Sequence, residues 1–599
     1  MKQITKFGML FAAGALLASC SNDNLDNPGE GNVTNPGTVS YMNLSIALAG
    51  NQAGTRAGYA DDSDAGMYDI GTEEEYSVNS LNVYIFKGSE ESNASYAAKG
   101  TWGETITVTP ADKNDNHLSN KEAINLDNFK IEGLDFKTGD TCWALIVINA
   151  NADFIEPKLG DTFTSWSQTA QTSNMLLSVT SGSDDAKNYI TMTNASGFAN
   201  GIISSTNIPV TLVKIEDNNL SKEEFESSEI ASHRTEIFVQ RNVAKVTVDT
   251  KQGYSANSDA TVKVGDYSAI VDFKGWLLDI TNKTSYPVMN IKDFATAYFG
   301  TSIADFGRLH SSNTTYDRLF WAIDPNYDKA ITTPEQIAAA FDTIVQTSTT
   351  SWATSGKSAY CLENTFDVAH MLQGQTTRVV IKASWTPTED GKDNYFNNGY
   401  FRIGRQNEIW NDENLIAEVK ARTIQVLDLK TEEEQGKITV ALKSGIGAGY
   451  YSIKTLFDIM NDGNAVSDEN LAKIAGYFNL SSATDNTIAY YKNNEVYYVV
   501  RLRHFNDTET DIENYEGEWE PGDTYPTNAE KNFLGRYGLV RNNSYLLTID
   551  GITGLGSPII PDIKPGDPDD EDEDDGSRYI NCSINILAWA KRSQNVTLK

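Results

Sequence analysis

Short runs of alternating or β-branched apolar residues recur along most of the chain, and each of them predicts a β-strand. They cover residues 41–48, 81–86, 144–148, 208–213, 237–248, 378–383, 423–429, 438–442, 488–505, 545–549 and 579–598. Helical spacing is brief, and its best candidates are residues 222–229, 334–342 and 470–477. Many short strands with few helices predict a mainly β protein built from β-sandwiches.

Two local signals divide this pattern further. Asn493-Asn494 separates two tyrosine pairs, and because Asn tolerates positive φ it predicts a hairpin turn. Residues 250–266 are rich in Ser, Gly, Asp and Asn and predict a boundary between domains. We therefore expect an N-terminal β-sandwich domain over residues 57–255 and a C-terminal one over residues 256–560.

Residues 1–19 are typical of a lipoprotein signal peptide, and Cys20 follows them directly. Lys2 and Lys6 precede an apolar run at residues 7–18 that is too short to span a bilayer. The run ends in Leu17-Ala18-Ser19-Cys20, which predicts cleavage between Ser19 and Cys20 and lipidation of Cys20. The alternative is an ordinary signal peptide with a chance cysteine. Residues 20–40 contain little to bury and predict a flexible tether.

The end of the chain combines an acidic run with an isolated strand. Residues 561–576 hold nine acids and one lysine, a net charge of −8, which predicts an extended linker, with a calcium loop as the alternative. Residues 577–599 then alternate with a period of two. The even, apolar positions are Ile580, Cys582, Ile584, Ile586, Ala588, Ala590, Val596 and Leu598. This strand either closes its own domain or is donated to a neighbouring molecule.

A second amphipathic strand lies near the N-terminus, within residues 41–56. Its apolar positions are Met42, Leu44, Ile46 and Leu48. A Gly-rich polar loop follows, in which Arg56 is the only basic residue between Lys6 and Lys87, so that a trypsin-like cut between Arg56 and Ala57 would be selective. The cut would free the strand and leave an apolar groove for a donated strand. Such head-to-tail contacts do not close by symmetry and produce a filament.

Composition excludes several classes of protein. The 599 residues contain 48 Lys and Arg against 82 Asp and Glu, a net charge of −34, which argues against a nucleic-acid partner. Apolar residues make up 40%, enough for a folded core. Four cysteines exclude a disulfide-dense scaffold, and the strand patterns around Cys142 and Cys582 predict buried free thiols.

Catalytic and cofactor motifs are weak. Gly356-Lys357-Ser358 lacks the first glycine of a P-loop, and 445–449 lacks the third glycine of a dinucleotide fingerprint. The five histidines are isolated in sequence, and no HExxH motif occurs. We therefore expect that the protein is not an enzyme and that it has no catalytic residues, no cofactor and no metal site.

Several segments together resemble the fimbrillin family, the type V pilins of Bacteroidetes, with the minor-fimbrium major subunits as the nearest branch. The segments are the lipobox at Cys20, Thr55-Arg56-Ala57, and residues 239–246, 273–276, 281–283, 286–287, 537–545, 552–558 and 584–589. Their order along the chain, rather than any single motif, carries the resemblance.

The resemblance implies two transthyretin-like β-sandwich domains in tandem. It implies export as a lipoprotein of the cell outer membrane, maturation by an arginine-specific protease at Arg56, and strand exchange with identical subunits by the donor strand at residues 577–599. The product would be an extracellular fimbrium that supports adhesion and biofilm formation, with accessory anchor and tip subunits. The alternatives are a monomeric surface lipoprotein that binds a glycan or host protein, and a tip or anchor component.

Overall fold

The structure is a computed structural model, and it describes a defined part of the chain. The described residues are 39–48, 75, 78–102, 124–134, 140–172, 177–179, 188–199, 210–215, 235–250, 262–264, 267–291, 316–345, 351–388, 396, 398–404, 406, 408–504, 534–552, 554–566 and 580–587. The predicted helix at residues 222–229 lies outside them.

Strands dominate the described residues. In chain order they are β1 (Val39–Leu48), β2 (Leu81–Lys87), β3 (Ser95–Trp102), β4 (Ile124–Glu132), β5 (Cys142–Ile148), β6 (Gln171–Thr172), β7 (Leu177–Val179), β8 (Asn188–Ile190), β9 (Met192–Asn194), β10 (Gly197–Ala199), β11 (Val213–Ile215), β12 (Thr235–Arg241), β13 (Val243–Thr250), β14 (Val262–Val264), β15 (Tyr267–Asp279), β16 (Thr281–Asn282), β17 (Thr284–Ser285), β18 (Tyr316–Arg318), β19 (Phe341–Asp342), β20 (Ser358–Leu362), β21 (Arg378–Thr388), β22 (Gly399–Ile403), β23 (Ile409–Trp410), β24 (Ile438–Leu442), β25 (Gly449–Tyr451), β26 (Phe457–Asn461), β27 (Asn464–Ala465), β28 (Ile488–Lys492), β29 (Glu495–Arg501), β30 (Ser544–Ile552) and β31 (Ile580–Leu587). The mainly β prediction is confirmed.

Helices are fewer and mostly short. They are α1 (Phe163–Ser167), α2 (Pro334–Ala340), α3 (Asp412–Val426), α4 (Glu432–Gly436), α5 (Ile453–Leu456) and α6 (Asp468–Tyr477), with 3₁₀ turns at Glu91–Asn93 and Val368–His370. Helices α2 and α6 confirm two of the predicted helices. No helix among the residues described here is long and apolar enough to cross a membrane.

The first large sheet runs in the order β3-β2-β5-β9-β12-β1-β4, with β11 paired to β5. It curls so that β3 meets β4, since a Cβ atom on Gly100 would lie 2.6 Å from the Phe129 ring. One apolar core fills the curl and includes Leu44, Ile46, Val83, Ile85, Leu126, Phe129, Ala144, Ile146, Ile237 and Val239.

Two four-stranded sheets of the later chain share a second core. Their orders are β20-β13-β30-β31 and β14-β15-β21-β29. Both sheets contribute to one cluster of buried side chains, so they pack face to face as a sandwich. Its buried residues include Val246, Val248, Trp276, Ile381, Trp385, Tyr498, Tyr545 and Leu547.

The described strands pass from the first sheet to the second between β12 and β13. Strand β12 belongs to the first sheet, whereas β13 pairs with β20 and β30. Only Asn242 separates the two strands. The apolar face of β13 is buried in the second core. The described strands therefore change sheet at Asn242 rather than within residues 250–266, and the domain limits themselves stay a prediction.

Between β21 and β29 the chain forms a mixed α and β unit, residues 399–492, which we call the insert. Its core is a separate cluster that includes Phe401, Leu415, Val419, Leu456 and Ile474. The predicted strand at residues 423–429 is wrong, since residues up to Val426 belong to α3. The β-branched run suggested a strand, but Leu415, Val419 and Thr423 are buried at helical spacing, and the side chain of Asn411 caps the helix.

The turn at Asn493-Asn494 is confirmed, but the hairpin is wrong. Both residues have positive φ, 57° and 61°. Strand β28 before the turn pairs with β22 and β25, whereas β29 after it pairs with β21. The turn therefore carries the chain from the insert to the sandwich.

The predicted acidic linker begins later than expected. The backbone carbonyl of Pro561 accepts a hydrogen bond from Arg378 Nη2 at 2.8 Å, and Ile563 packs against the Ile280 and Ile331 cluster. Residues 561–566 are therefore held on the sandwich, because an apolar residue and a buried arginine fix them. Residues 567–576, with eight of the nine acids, lie outside the described residues.

Candidate functional site: the seats of the two terminal strands

Strand β1 lies inside the first sheet, between β12 and β4, in what we call the N-terminal seat. It pairs in parallel with β12, with Leu44 opposite Thr235 and Leu48 opposite Val239. It pairs antiparallel with β4 on its other edge, with a register shift between Met42 and Leu44. Both edges of β1 are therefore hydrogen-bonded to neighbouring strands.

The apolar side chains predicted for the displaced strand meet in the N-terminal seat. Met42, Leu44 and Ile46 are 4%, 0% and 1% exposed. They share the first core with buried residues of the flanking strands, which include Leu126, Phe129, Ile131, Ile237 and Val239. For Leu48 the structure describes only the backbone pairing, opposite Val239. Removing β1 would thus uncover a long apolar groove between β4 and β12.

Strand β31 lies at the edge of the second sheet, in what we call the C-terminal seat. It pairs antiparallel with β30 of its own chain, the one neighbour recorded among the described strands. The predicted apolar positions stand opposite buried residues of β30 in the register Ile580↔Ile552, Cys582↔Ile549, Ile584↔Leu547 and Ile586↔Tyr545. The intramolecular pairing corresponds to the first of the two interpretations of the terminal strand.

The other predicted site residues lie outside the described residues. These are the signal-cleavage and lipidation residues Ser19 and Cys20, the maturation residues Arg56 and Ala57, and the distal positions Ala588, Ala590, Val596 and Leu598. Their roles stay predictions.

A buried polar cluster joins the two large sheets, and none of the sequence patterns predicted it. Arg541 Nη2 lies 3.1 Å from Glu363 Oε1, with the two side chains 1% and 0% exposed. The same nitrogen donates to Ser285 Oγ at 2.9 Å and to the Tyr286 carbonyl at 3.0 Å. Arg541 Nη1 also donates to Asn242 Oδ1 at 3.4 Å, and the same oxygen accepts from Thr193 Oγ1 of β9 at 2.9 Å. Because a buried charge without its partner is costly, this cluster fixes the junction at the point where the chain changes sheet.

Glu75 extends that junction toward the N-terminus. Its carboxylate forms a buried ion pair with Lys245 at 2.9 Å and accepts a hydrogen bond from the Tyr360 hydroxyl. Its backbone carbonyl accepts from Arg241 Nε at 2.7 Å. Glu75 lies after Arg56 in sequence, so the predicted cut at Arg56 would leave this anchor on the fragment that follows the cut.

Two of the cysteines are buried free thiols. Cys142 lies in β5 of the first sheet and Cys361 in β20 of the second. Burial raises the pKa of each thiol to about 12. The prediction for Cys142 is confirmed, while the side chain of Cys582 is outside the description.

The fold and the two seats define a β-rich protein with one terminal strand in a central position and the other at an edge. Residues 489–595 match the family described as major fimbrial subunit protein type IV, fimbrillin, C-terminal. The matched region contains β29, β30 and β31, and with them the C-terminal seat. The C-terminal region of this chain is therefore similar to the C-terminal part of the fimbrillin fimbrial subunits.

Solved structures give more distant similarities. A fimbrilin from Porphyromonas gingivalis W83 is 12% identical over 94% of this chain and 100% of that chain, with a TM-score of 0.32. A putative cell adhesion protein from Parabacteroides distasonis ATCC 8503 is 10% identical over 93% and 99%, with a TM-score of 0.32. The tip fimbrial protein Mfa3 from Porphyromonas gingivalis is 10% identical over 92% and 100%, with a TM-score of 0.29. A comparison with curated proteins finds no match.

Proposed function

We propose that this protein is a structural subunit of a cell-surface fimbrium, exported as a lipoprotein, cleaved after Arg56 and polymerised head to tail by strand exchange. The observation that supports this best is the difference between the two seats. Strand β1 is paired on both edges and buried, whereas β31 is paired on one edge. A donor strand would therefore gain a second pairing edge by moving from its own C-terminal seat to the N-terminal seat of a neighbour.

Cleavage is needed before that exchange because β1 occupies the groove. Residues 49–56 connect β1 to the predicted cut, and the cut leaves β1 held by non-covalent contacts alone. Glu75, anchored at Lys245 and Arg241, would hold the chain at this point when β1 leaves. The empty groove would expose the apolar side chains of β4 and β12, an unfavourable state that a new strand relieves.

The donor strand matches this groove in chemistry. Burial of one aliphatic side chain contributes about 1.5–3 kcal/mol, so six to eight apolar positions contribute roughly 10–20 kcal/mol before ordering costs. At about 3.3 Å per residue, the ten residues 567–576 could extend over roughly 33 Å. Eight like charges in that stretch favour an extended form, which helps the strand to reach another subunit.

The experiment compares three forms of the full chain, all carrying Cys20→Ala to prevent lipidation. The first is otherwise unchanged, the second carries Arg56→Ala, and the third ends before Ser577. Each is treated with an arginine-specific protease and run on a mild SDS gel. We expect a ladder of polymers from the first form alone.

The three forms separate the steps. Arg56→Ala should stay uncut at this position and monomeric, while the truncated form should be cut and remain a folded monomer. Monomer that persists in the first form after confirmed cleavage at Arg56 would refute strand exchange. Fibres from the truncated form would show that the donor lies elsewhere in the chain.

A further inference from the structure

A cavity of about 240 Å³ lies where the insert meets the sandwich. The insert contributes Arg402, Tyr450 and Thr487 to its lining, and the sandwich contributes Tyr497 and Ser557. Small-molecule sites occur preferentially at such junctions between structural units. The cavity is distant in sequence from β1, and none of its lining residues belongs to β1, β4 or β12.

Hydrogen bonds within the protein hold part of the cavity lining in place. The Tyr491 hydroxyl donates to the Gly556 carbonyl at 3.0 Å, and the Tyr498 hydroxyl donates to the Gly554 carbonyl at 2.9 Å. Tyr497 and Ser557 exchange two backbone hydrogen bonds, at 2.8 and 2.9 Å. A Cβ atom on Gly556 would lie 2.5 Å from the Tyr497 carbonyl oxygen, so glycine is needed for this close approach. The cavity is therefore a preorganised site rather than a gap between loose elements.

Arg402 gives the cavity a positive charge. It is the one charged residue among the lining residues, which include no carboxylate. Its Nε donates to the Gln406 carbonyl at 3.0 Å, which orients the guanidinium group. The other four N–H groups of Arg402 have no recorded acceptor among the described residues, and a fork of such donors suits a carboxylate. In a chain with a net charge of −34, this local reversal of sign points to an anionic ligand.

The remaining lining groups suit a sugar ring. Tyr450 is 48% exposed, one of the few large apolar side chains in the described part of the chain that reach solvent to this extent. Its hydroxyl lies 3.2 Å from Ser557 Oγ, and the exposed Thr487 lines the same cavity. Hydroxyls both donate and accept hydrogen bonds, as sugar hydroxyls do, while the tyrosine face offers an apolar surface to the ring.

We propose that this cavity binds a single carboxylate-bearing sugar residue of a glycan, with the carboxylate on Arg402 and the ring against Tyr450. The small volume favours one sugar ring over a longer chain or a peptide. A fimbrial subunit with this site would carry one copy of it per repeat, so weak single contacts would add up along a filament.

The test uses D-glucuronate as the probe and D-glucose as its neutral match, measured by calorimetry on the full chain. We expect glucuronate to bind and glucose to bind at least about 10-fold more weakly. Arg402→Gln should weaken glucuronate binding by about 10- to 100-fold, the range for loss of a charge-assisted hydrogen bond. Tyr450→Phe should keep most of the affinity and Tyr450→Ala should lose it.

The matched control is Arg422→Gln, which removes an arginine from helix α3 of the same insert, where it pairs with Glu418. Arg422→Gln should bind glucuronate as the unchanged chain does, and thermal unfolding of each variant checks that the insert stays folded. Equal binding of glucose and glucuronate, or equal losses from Arg402→Gln and Arg422→Gln, would overturn the role of Arg402. Acetate binding as tightly as glucuronate would overturn the role of the sugar ring.

Discussion

The two terminal strands occupy their sheets in different ways. Strand β1 is a central strand, with β12 on one edge and β4 on the other, whereas β31 is an edge strand on β30. Release of β1 requires that two ladders break and that Leu44 and Ile46 leave the first core. Release of β31 requires that one ladder breaks. The strand proposed to leave the subunit is thus the more firmly seated, and the strand proposed to be donated is the less firmly seated.

From this difference we expect the uncleaved chain to remain a monomer and not to exchange strands. In the intact chain β1 is covalently linked to the domain that contains the N-terminal seat. This link gives β1 a very high effective concentration at that seat, so an external strand cannot compete with it. A cut at Arg56 would change that balance by removing the covalent link, while the contacts of β1 with β4 and β12 stay the same. We therefore propose that the covalent link of β1, rather than the strength of its pairing, controls strand exchange.

Two matched proline substitutions test the comparison with the largest expected effect. Ser45 in β1 stands between Glu236 and Asn125, while Ser583 in β31 stands opposite Thr548 alone. Because proline cannot donate to a ladder, Ser45→Pro should prevent the first sheet from folding, whereas Ser583→Pro should leave a folded monomer. Circular dichroism and denaturant unfolding measure this.

The same pair separates folding from assembly. In the proposed polymer Ser583 would have a neighbour on both edges, so Ser583→Pro should block polymer formation after cleavage. Ser45→Ala and Ser583→Ala are the controls and should both fold. If Ser583→Pro unfolded the monomer as severely as Ser45→Pro does, the C-terminal seat would be as essential as the N-terminal one and the comparison would fail.

Both terminal strands could be predicted from the sequence because a period of two is a local property. Residues 41–48 and 579–598 show it without any knowledge of their neighbours. Their seats could not be predicted, since the pairing of β1 with β12 joins segments about 190 positions apart and depends on the whole first core. The edge position of β31 follows in the same way from the arrangement of β13 and β30.

The insert and the polar junction are two further features that could not be predicted from the sequence. Helix α3 was missed because residues 423–426 are mostly β-branched, and burial against β24 and α6 outweighs that propensity. The junction was missed because Arg541 and Asn242 are 299 positions apart. Both residues do lie within segments that carry the fimbrillin resemblance, 239–246 and 537–545, and that was the available signal.

Truncation of one apolar side chain in each seat gives a smaller effect. Leu44 is 0% exposed, so Leu44→Ala should lower the free energy of unfolding by about 2–5 kcal/mol. Ile584→Ala removes a side chain from an edge strand and should cost less, below about 2 kcal/mol. Urea titration of the uncleaved chain measures both. After cleavage the order should change, with Leu44→Ala neutral for the mature polymer and Ile584→Ala weakening it, and an unchanged order would contradict strand exchange.

Cysteine reactivity tests the comparison of the two terminal strands without a destabilising substitution in either strand. Cys142 and Cys361 mark the two large sheets, and Cys582 marks β31. With a pKa of about 12, each of the first two is roughly one part in 10,000 thiolate at pH 8, so alkylation should be slow unless the sheet opens. Cys582 should react first, because an edge strand with one ladder opens more readily. Iodoacetamide labelling followed by mass spectrometry, in a Cys20→Ala background, gives all three rates.

The decisive comparison is between monomer and polymer. In the polymer Cys582 would lie in a strand paired on both edges, so its labelling should slow toward the rates of Cys142 and Cys361, which should not change. Cys582→Ser identifies the fast site in the monomer. If Cys582 labelled as slowly as Cys142 in the uncleaved chain, β31 would not open, and donation would need a separate event to release it. If Cys582 stayed equally reactive after polymerisation, another segment would fill the N-terminal seat.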